Sequence, residues 1–167
     1  MRKLFLLPLL AMLCSPALAT DFYIVDLDMD GPAATVTLMD PASVKPGDAG
    51  HKLVTFARVY EYQAWLERRV ELDCSAPRWR ELTRITHDGG GASTPSAVGD
   101  WVDLDPGTVG GAMRDTACAF PQTLPSADSL FKADNLDDAI RRASATLAVM
   151  AEEQEDEEDK AAEAPGK

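Results

Sequence analysis

Two cysteines, Cys74 and Cys118, lie 44 positions apart and constrain this chain more than any other feature of it. Cys74 ends "AWLERRVELDC", where Leu66, Val70, Leu72 and Cys74 fall on one face of a strand and Glu67, Arg69, Glu71 and Asp73 on the other. That alternation marks a half-buried strand with its cysteine facing inward. Cys118 closes a helical pattern, with Val109, Ala112 or Met113, Thr116 and Phe120 at spacings of three and four. Thr108 can cap its start and Pro121 stops it. Gly110 and Gly111 weaken that helix by about 2 kcal/mol relative to alanines. A crosslink closing a loop of this length contributes roughly 4 kcal/mol on the chain-entropy model, enough to hold a poor helix against the strand. The competing reading of Cys118, a free reactive thiol, needs a nearby base, and no pattern ties His51 or His87 to it.

Such a crosslink needs an oxidising compartment, and the first residues suggest one. "MRKLFLLPLLAMLCSPALA" carries Arg2 and Lys3, an apolar run from Leu4 to Leu13, and Ala17-Leu18-Ala19. A basic start, a short apolar core and small residues at −3 and −1 form a secretory signal, cut between Ala19 and Thr20. The run is shorter than the ~20 residues that span a bilayer, which argues against a membrane anchor. Leu13 directly precedes Cys14, a poor context for lipidation, so Cys14 leaves with the signal. An even pair of cysteines remains in an exported chain, which reads as one disulfide.

The formal charge of −12 becomes −14 once Arg2 and Lys3 leave. Eight acids and two bases in "AEEQEDEEDKAAEAPGK" place −6 in the last segment. A surface this acidic repels phosphate backbones, so nucleic acid is disfavoured as a partner, as are anionic lipid and heparin-like polymers. The arginines between Arg68 and Arg84 are expected on a solvated strand face, paired with Glu67, Glu71 and Glu81.

Strand signals fill residues 22–87. "FYIVDLD" and "AATVTLMD" flank the turn signal "MDGP" and predict a hairpin. "HKLVTFARVYEY" is apolar on both faces, Leu53, Ala57 and Val59 against Val54, Phe56, Tyr60 and Tyr62, as in a central strand covered on each side. "PRWRELTRITHD" follows as a partner to the Cys74 strand, "HDGGGASTPSAVGD" reads as a loop, and "WVDLD" as a short last strand with Trp101 in the core. A second helix begins after Asn135 as cap, with Asp137 and Asp138 in its first turn and Leu136, Ile140, Ala143, Leu147 and Met150 as its apolar seam. That seam docks on the sheet or pairs two subunits, making a homodimer one option. Beyond Ala151 the acids repel one another at the wrong end of the helix dipole, so residues 152–167 are expected to fray into disorder.

Catalytic patterns are sparse. "DLDMDG" opens like a calcium loop, with Asp26, Asp28 and Asp30 at positions 1, 3 and 5 and Gly31 at 6, but position 12 is Thr37 and the flanks are strands. It reads first as an acidic turn and second as a weak calcium module. No phosphate loop, nucleophile elbow or zinc-binding histidine pair is present in the sequence. His87 beside Asp88 reads as a loop residue. No catalytic residue, cofactor site or metal site is assigned.

Three stretches in this order resemble the surface-adhesin protein E-like family of small exported bacterial domains. They are "LMDPASVKPGDAGHKLVTFARV", "VELDCSAPRWR", and the run from Trp101 through Pro106-Gly107-Thr108 to Cys118. The resemblance spans roughly residues 22–120 and implies a curved antiparallel sheet with helical packing and a Cys74–Cys118 disulfide. The expected fold is α+β: five to six antiparallel strands, a disulfide-tethered helix and a C-terminal helix. Residues 1–19 are the signal, 20–121 the adhesin-E-like domain, 122–151 a linker and the C-terminal helix, and 152–167 an acidic tail. The family's namesake binds host extracellular-matrix proteins. Here "VYEYQAWLE" is not basic, and host adhesion is not carried over. The expected function is a non-enzymatic binding domain with a protein partner, periplasmic, secreted or associated with the cell surface. The alternative is an envelope enzyme or inhibitor with a scattered site, drawing on His51 or His87.

Overall fold

A computed structural model describes residues 20–29, 33–61, 64–88, 90–91, 93–96, 99–123 and 130–163. Residues 1–19, the stretch expected to be a signal, lie outside them; Thr20 opens the first strand.

Seven strands precede the first helix among the described residues: β1 (Thr20–Asp28), β2 (Thr35–Pro46), β3 (Lys52–Tyr60), β4 (Trp65–Asp73), β5 (Arg78–His87), β6 (Ser93–Ser96) and β7 (Val102–Asp103). Then come α1 (Val109–Ala119), β8 (Leu130–Ala133) and α2 (Leu136–Glu163). The strands form one open antiparallel sheet in the order β6-β5-β4-β3-β2-β1-β8, with β7 on the Arg78 end of β5. The fold is thus α+β, but the described residues hold eight strands instead of five or six. The two strands beyond expectation are short. β6 is "STPS", four exposed residues inside the predicted loop, whose Pro95 is tolerated because β6 is an edge. β8 is "LFKA", in the segment expected to be linker, and it pairs with the start of β1.

Alternation along the central strands supplies two cores, one per face. Phe22, Val36, Leu38, Ala57 and Val59 point to α2 and bury Ala139, Ile140, Ala143 and Leu147. Tyr23, Met39, Val54, Phe56, Val70 and Leu72 point to α1 and bury Met113 and Ala117. The two-faced reading of β3 holds for all four of its buried apolar residues. The seam of α2 docks on the sheet as well, although Met150 falls outside that core. Both predicted caps form: Gly111 N–H donates to Thr108 Oγ1 and Asp138 N–H to Asn135 Oδ1. The frayed end expected after Ala151 is helical instead through Glu163. Alanine, glutamate and lysine are strong helix formers, and propensity carries the backbone past the seam.

Candidate functional site

Two arrangements surround the Asp73 end of β4, and a third lies at its Trp65 end. The first is the disulfide, Cys74 to Cys118, with its α-carbons 5.6 Å apart. Two cations reinforce it. Arg114 of α1 donates to the carbonyls of Asp73, Cys74 and Ala76 at 3.1–3.3 Å, gripping the turn after β4. Lys52 Nζ donates to the carbonyls of Ala117 at 2.9 Å, Cys118 at 3.0 Å and Phe120. A cation there satisfies the otherwise unpaired last carbonyls of α1 and meets the negative end of its dipole. Burial pushes the Lys52 ammonium's pKa down. At the other end of α1, a β-carbon on Gly110 would lie 2.8 Å from Leu104 Cδ2, so the helix start approaches the preceding segment more closely than alanine allows.

The second arrangement sits on the opposite face of β4. Glu71 and Asp73 were expected on a solvated face, yet they are only 6% and 2% exposed. His51 Nδ1 lies 2.8 Å from Glu71 Oε1, and its Nε2 3.6 Å from Asp73 Oδ2. An ionised carboxylate only accepts, so Nδ1 carries the proton of the first contact. Arg80 Nε donates to Glu71 Oε2 at 2.8 Å; Arg78 Nε and Nη2 both reach Asp73 Oδ2 at 2.9 Å. Asp73 Oδ1 accepts from the Ser75 hydroxyl and from the Ser75 and Ala76 N–H groups, so the same carboxylate shapes the turn that carries Cys74. Trp101 covers the group, 5.0 Å from the His51 ring and 5.0 and 5.2 Å from the Arg78 and Arg80 guanidiniums. It packs on charges instead of in the apolar core where the sequence placed it.

These contacts set the ionisation of both acids. The hydrogen bond from His51, followed by Arg80, holds the Glu71 carboxyl below its usual range against burial, which pushes it up. The Ser75 hydroxyl does most to hold Asp73 far below that range, with Arg78 and the two N–H groups adding to it against burial. Every member of the group is engaged by another.

The third arrangement is a groove of about 470 Å³ between α2 and the β3–β4 end of the sheet. One wall is the stripe of Asp137, Ile140, Arg141, Ser144, Ala145 and Ala148, residues three or four apart on one helical face. Trp65 and Glu61 form the other wall. The Trp65 ring is held flat by His87, stacked on it at 3.6 Å and 3°. Ser144 ties the helix to the sheet by donating to the Tyr60 and Glu61 carbonyls at 3.1 Å.

No protein-family model, curated protein or solved structure matches this chain.

The other residues singled out in the sequence are not gathered into one place. Asp26 and Asp28 sit on β1 opposite Thr37 and Thr35, with Asp28 Oδ2 3.8 Å from Arg58; Asp30 lies outside the described residues. His87 ends β5 instead of lying in a loop, and Asp88 accepts from Gly90 N–H in the turn that follows. Of the expected arginine pairings, Arg80 takes Glu71, while Arg68 and Arg84 share Glu81. The His51 group was missed, although its signal was present. Folding "ELDCSAPRWR" as a tight hairpin places Glu71 across from Arg80 and Asp73 across from Arg78.

Proposed function

We propose that this chain is an exported, non-enzymatic binding domain, built like the surface-adhesin protein E-like domains it resembles, that holds a protein partner along the groove between α2 and Trp65. The groove carries this reading. It offers a flat aromatic side chain, small apolar residues that let a partner approach the helix closely, and a polar rim of Glu61, Asp137 and Arg141. Tryptophan is among the residue types enriched where binding energy between proteins is concentrated. Export is supported by the basic-apolar-small pattern of residues 1–19 and by the disulfide, which persists in oxidising compartments.

The enzyme alternative would draw on His51. Its Nδ1 is engaged by Glu71, Trp101 covers its ring, and it lines neither the groove nor the smaller void beside α1. A histidine held this way orients a turn more readily than it moves a substrate proton.

The test is site-specific photo-crosslinking in the native envelope. A photoreactive residue at Ala145 or Ala148 should give a discrete adduct, and one at Ser96 on the β6 edge should not. An adduct of twice the chain mass identifies a second copy as the partner. Absence of any adduct from both groove positions rejects the proposal.

A further inference from the structure

The α1 face of the sheet carries a second, unrelated feature. Arg58 on β3, Arg68 on β4 and Arg84 on β5 form a row, with Arg68 directly across from Arg84. Like charges opposite one another on neighbouring strands are destabilising. One carboxylate, Glu81, serves both Arg68 and Arg84, while Arg58 Nη2 donates to Thr35 Oγ1 at 3.1 Å and lies 3.8 Å from Asp28 Oδ2. Beside the row, Thr37, Phe56, Arg58, Arg68, Val109 and Met113 line a void of about 10 Å³, space for roughly one water-sized atom. Thr37 is 2% exposed, and its Oγ1 has no hydrogen-bond partner among the described residues. The Nε atoms of Arg58, Arg68 and Arg84 are buried and equally unpartnered; Arg68 Nε lies 3.1 Å from Glu81 Oε1 without hydrogen-bond alignment. Burial pushes the Arg68 pKa down, and Arg84 and Arg58 push the same way against Glu81 and Tyr60.

Buried donors with no acceptor are costly, and three arginines paired with two carboxylates, Glu81 and Asp28, leave the row one positive charge in excess. We propose that the Arg58–Arg68–Arg84 row and Thr37 bind a small tetrahedral oxyanion, a phosphate or sulfate, free or as the terminal group of a small molecule. One oxygen enters the void and accepts from Thr37 Oγ1, while the others lie across the guanidiniums, whose planar forks suit such oxygens. Val109, the first residue of α1, brings the positive end of the helix dipole to the same place. The chain's net charge of −12 selects against extended polyanions, whereas a small ion close to three cations feels mainly those cations. The site lies on the face opposite the groove and is independent of the protein-binding proposal.

Titration of the full mature chain with inorganic phosphate, against chloride at matched ionic strength, tests the inference, with arginine Nε–H resonances followed by NMR. Phosphate should shift the Arg58, Arg68 and Arg84 signals saturably, and sulfate should compete with it. A small phosphate monoester that binds equally well places a terminal group in the site; a free ion that binds alone restricts it to the ion. Thr37→Val and Arg84→Gln should each weaken phosphate binding at least about tenfold. Thr37→Val should do so without lowering Tm, because the hydroxyl it removes has no partner among the described residues. Equal responses to phosphate and chloride, or unchanged phosphate affinity in Thr37→Val, overturn the assignment.

Discussion

A β-carbon on Gly111 would stand 2.9 Å from the carbonyl oxygen of Asp105, closer than packed atoms approach. The glycines that weaken α1 are thus what lets its first turn lie against the Leu104–Pro106 segment. Helix propensity alone predicts that Gly111→Ala stabilises by about 1 kcal/mol. The contact predicts the reverse, a loss of about 1–3 kcal/mol, because the obstacle is backbone. Gly110→Ala meets the end of the Leu104 side chain, which can turn aside, so its loss should be smaller. Urea unfolding of both variants decides the matter, and stabilisation by Gly111→Ala excludes the close approach as the reason for the glycine.

The disulfide is reinforced by Arg114 and Lys52, so its loss should loosen α1 without releasing it. The double variant Cys74→Ser, Cys118→Ser should be less stable than the native chain by roughly 4 kcal/mol yet keep far-ultraviolet dichroism near native. Adding Lys52→Met removes the cation from the carbonyls of Ala117, Cys118 and Phe120 and should cost about a further 1–3 kcal/mol. If the triple variant is as stable as the double, Lys52 contributes nothing to holding the helix.

Much of the architecture was legible because β-sheet alternation is strict. Leu38 and Met39 are neighbours in sequence and lie in different cores, and the two-faced apolar pattern of β3 announced a covered central strand. Alternation names a face but does not say whether that face is covered. Glu71 and Asp73 therefore read as solvated, although ion pairs and Trp101 bury them. β6 and β8 were hidden for another reason: four residues are too few to show a period, and backbone pairing with β5 and β1 selects them. The groove is a property of how α2 meets Trp65, and no local pattern encodes that meeting.

Two parts of α2 should behave differently. Leu147 is buried between the helix and the sheet, so Leu147→Ala should cost about 2–5 kcal/mol. Removing residues 152–167 takes away six net negative charges and none of the core residues among those described, and should change stability by less than about 0.5 kcal/mol. Thermal unfolding of the two variants tests the division. A large loss on truncation would show that the acidic end of α2 contributes to the fold.

The His51 group predicts how the fold responds to acid. Glu71 and Asp73 both titrate below their ordinary range in the folded chain, Glu71 chiefly through His51 and Asp73 chiefly through the Ser75 hydroxyl. A depressed carboxyl pKa stabilises the fold above the unfolded-chain value, about 4, and that stability is lost as pH falls through and below it. His51→Ala removes the largest contribution to the lowering at Glu71, so Glu71 should take up its proton at higher pH and acid unfolding should begin earlier. His87→Ala loses the stack on Trp65 but touches neither acid, and should leave the acid midpoint where it was. Near-ultraviolet dichroism from about pH 6 to about pH 2 follows the loss of aromatic packing, Trp101 included, over the relevant window. An unchanged midpoint in His51→Ala would mean that Arg80 alone keeps Glu71 ionised.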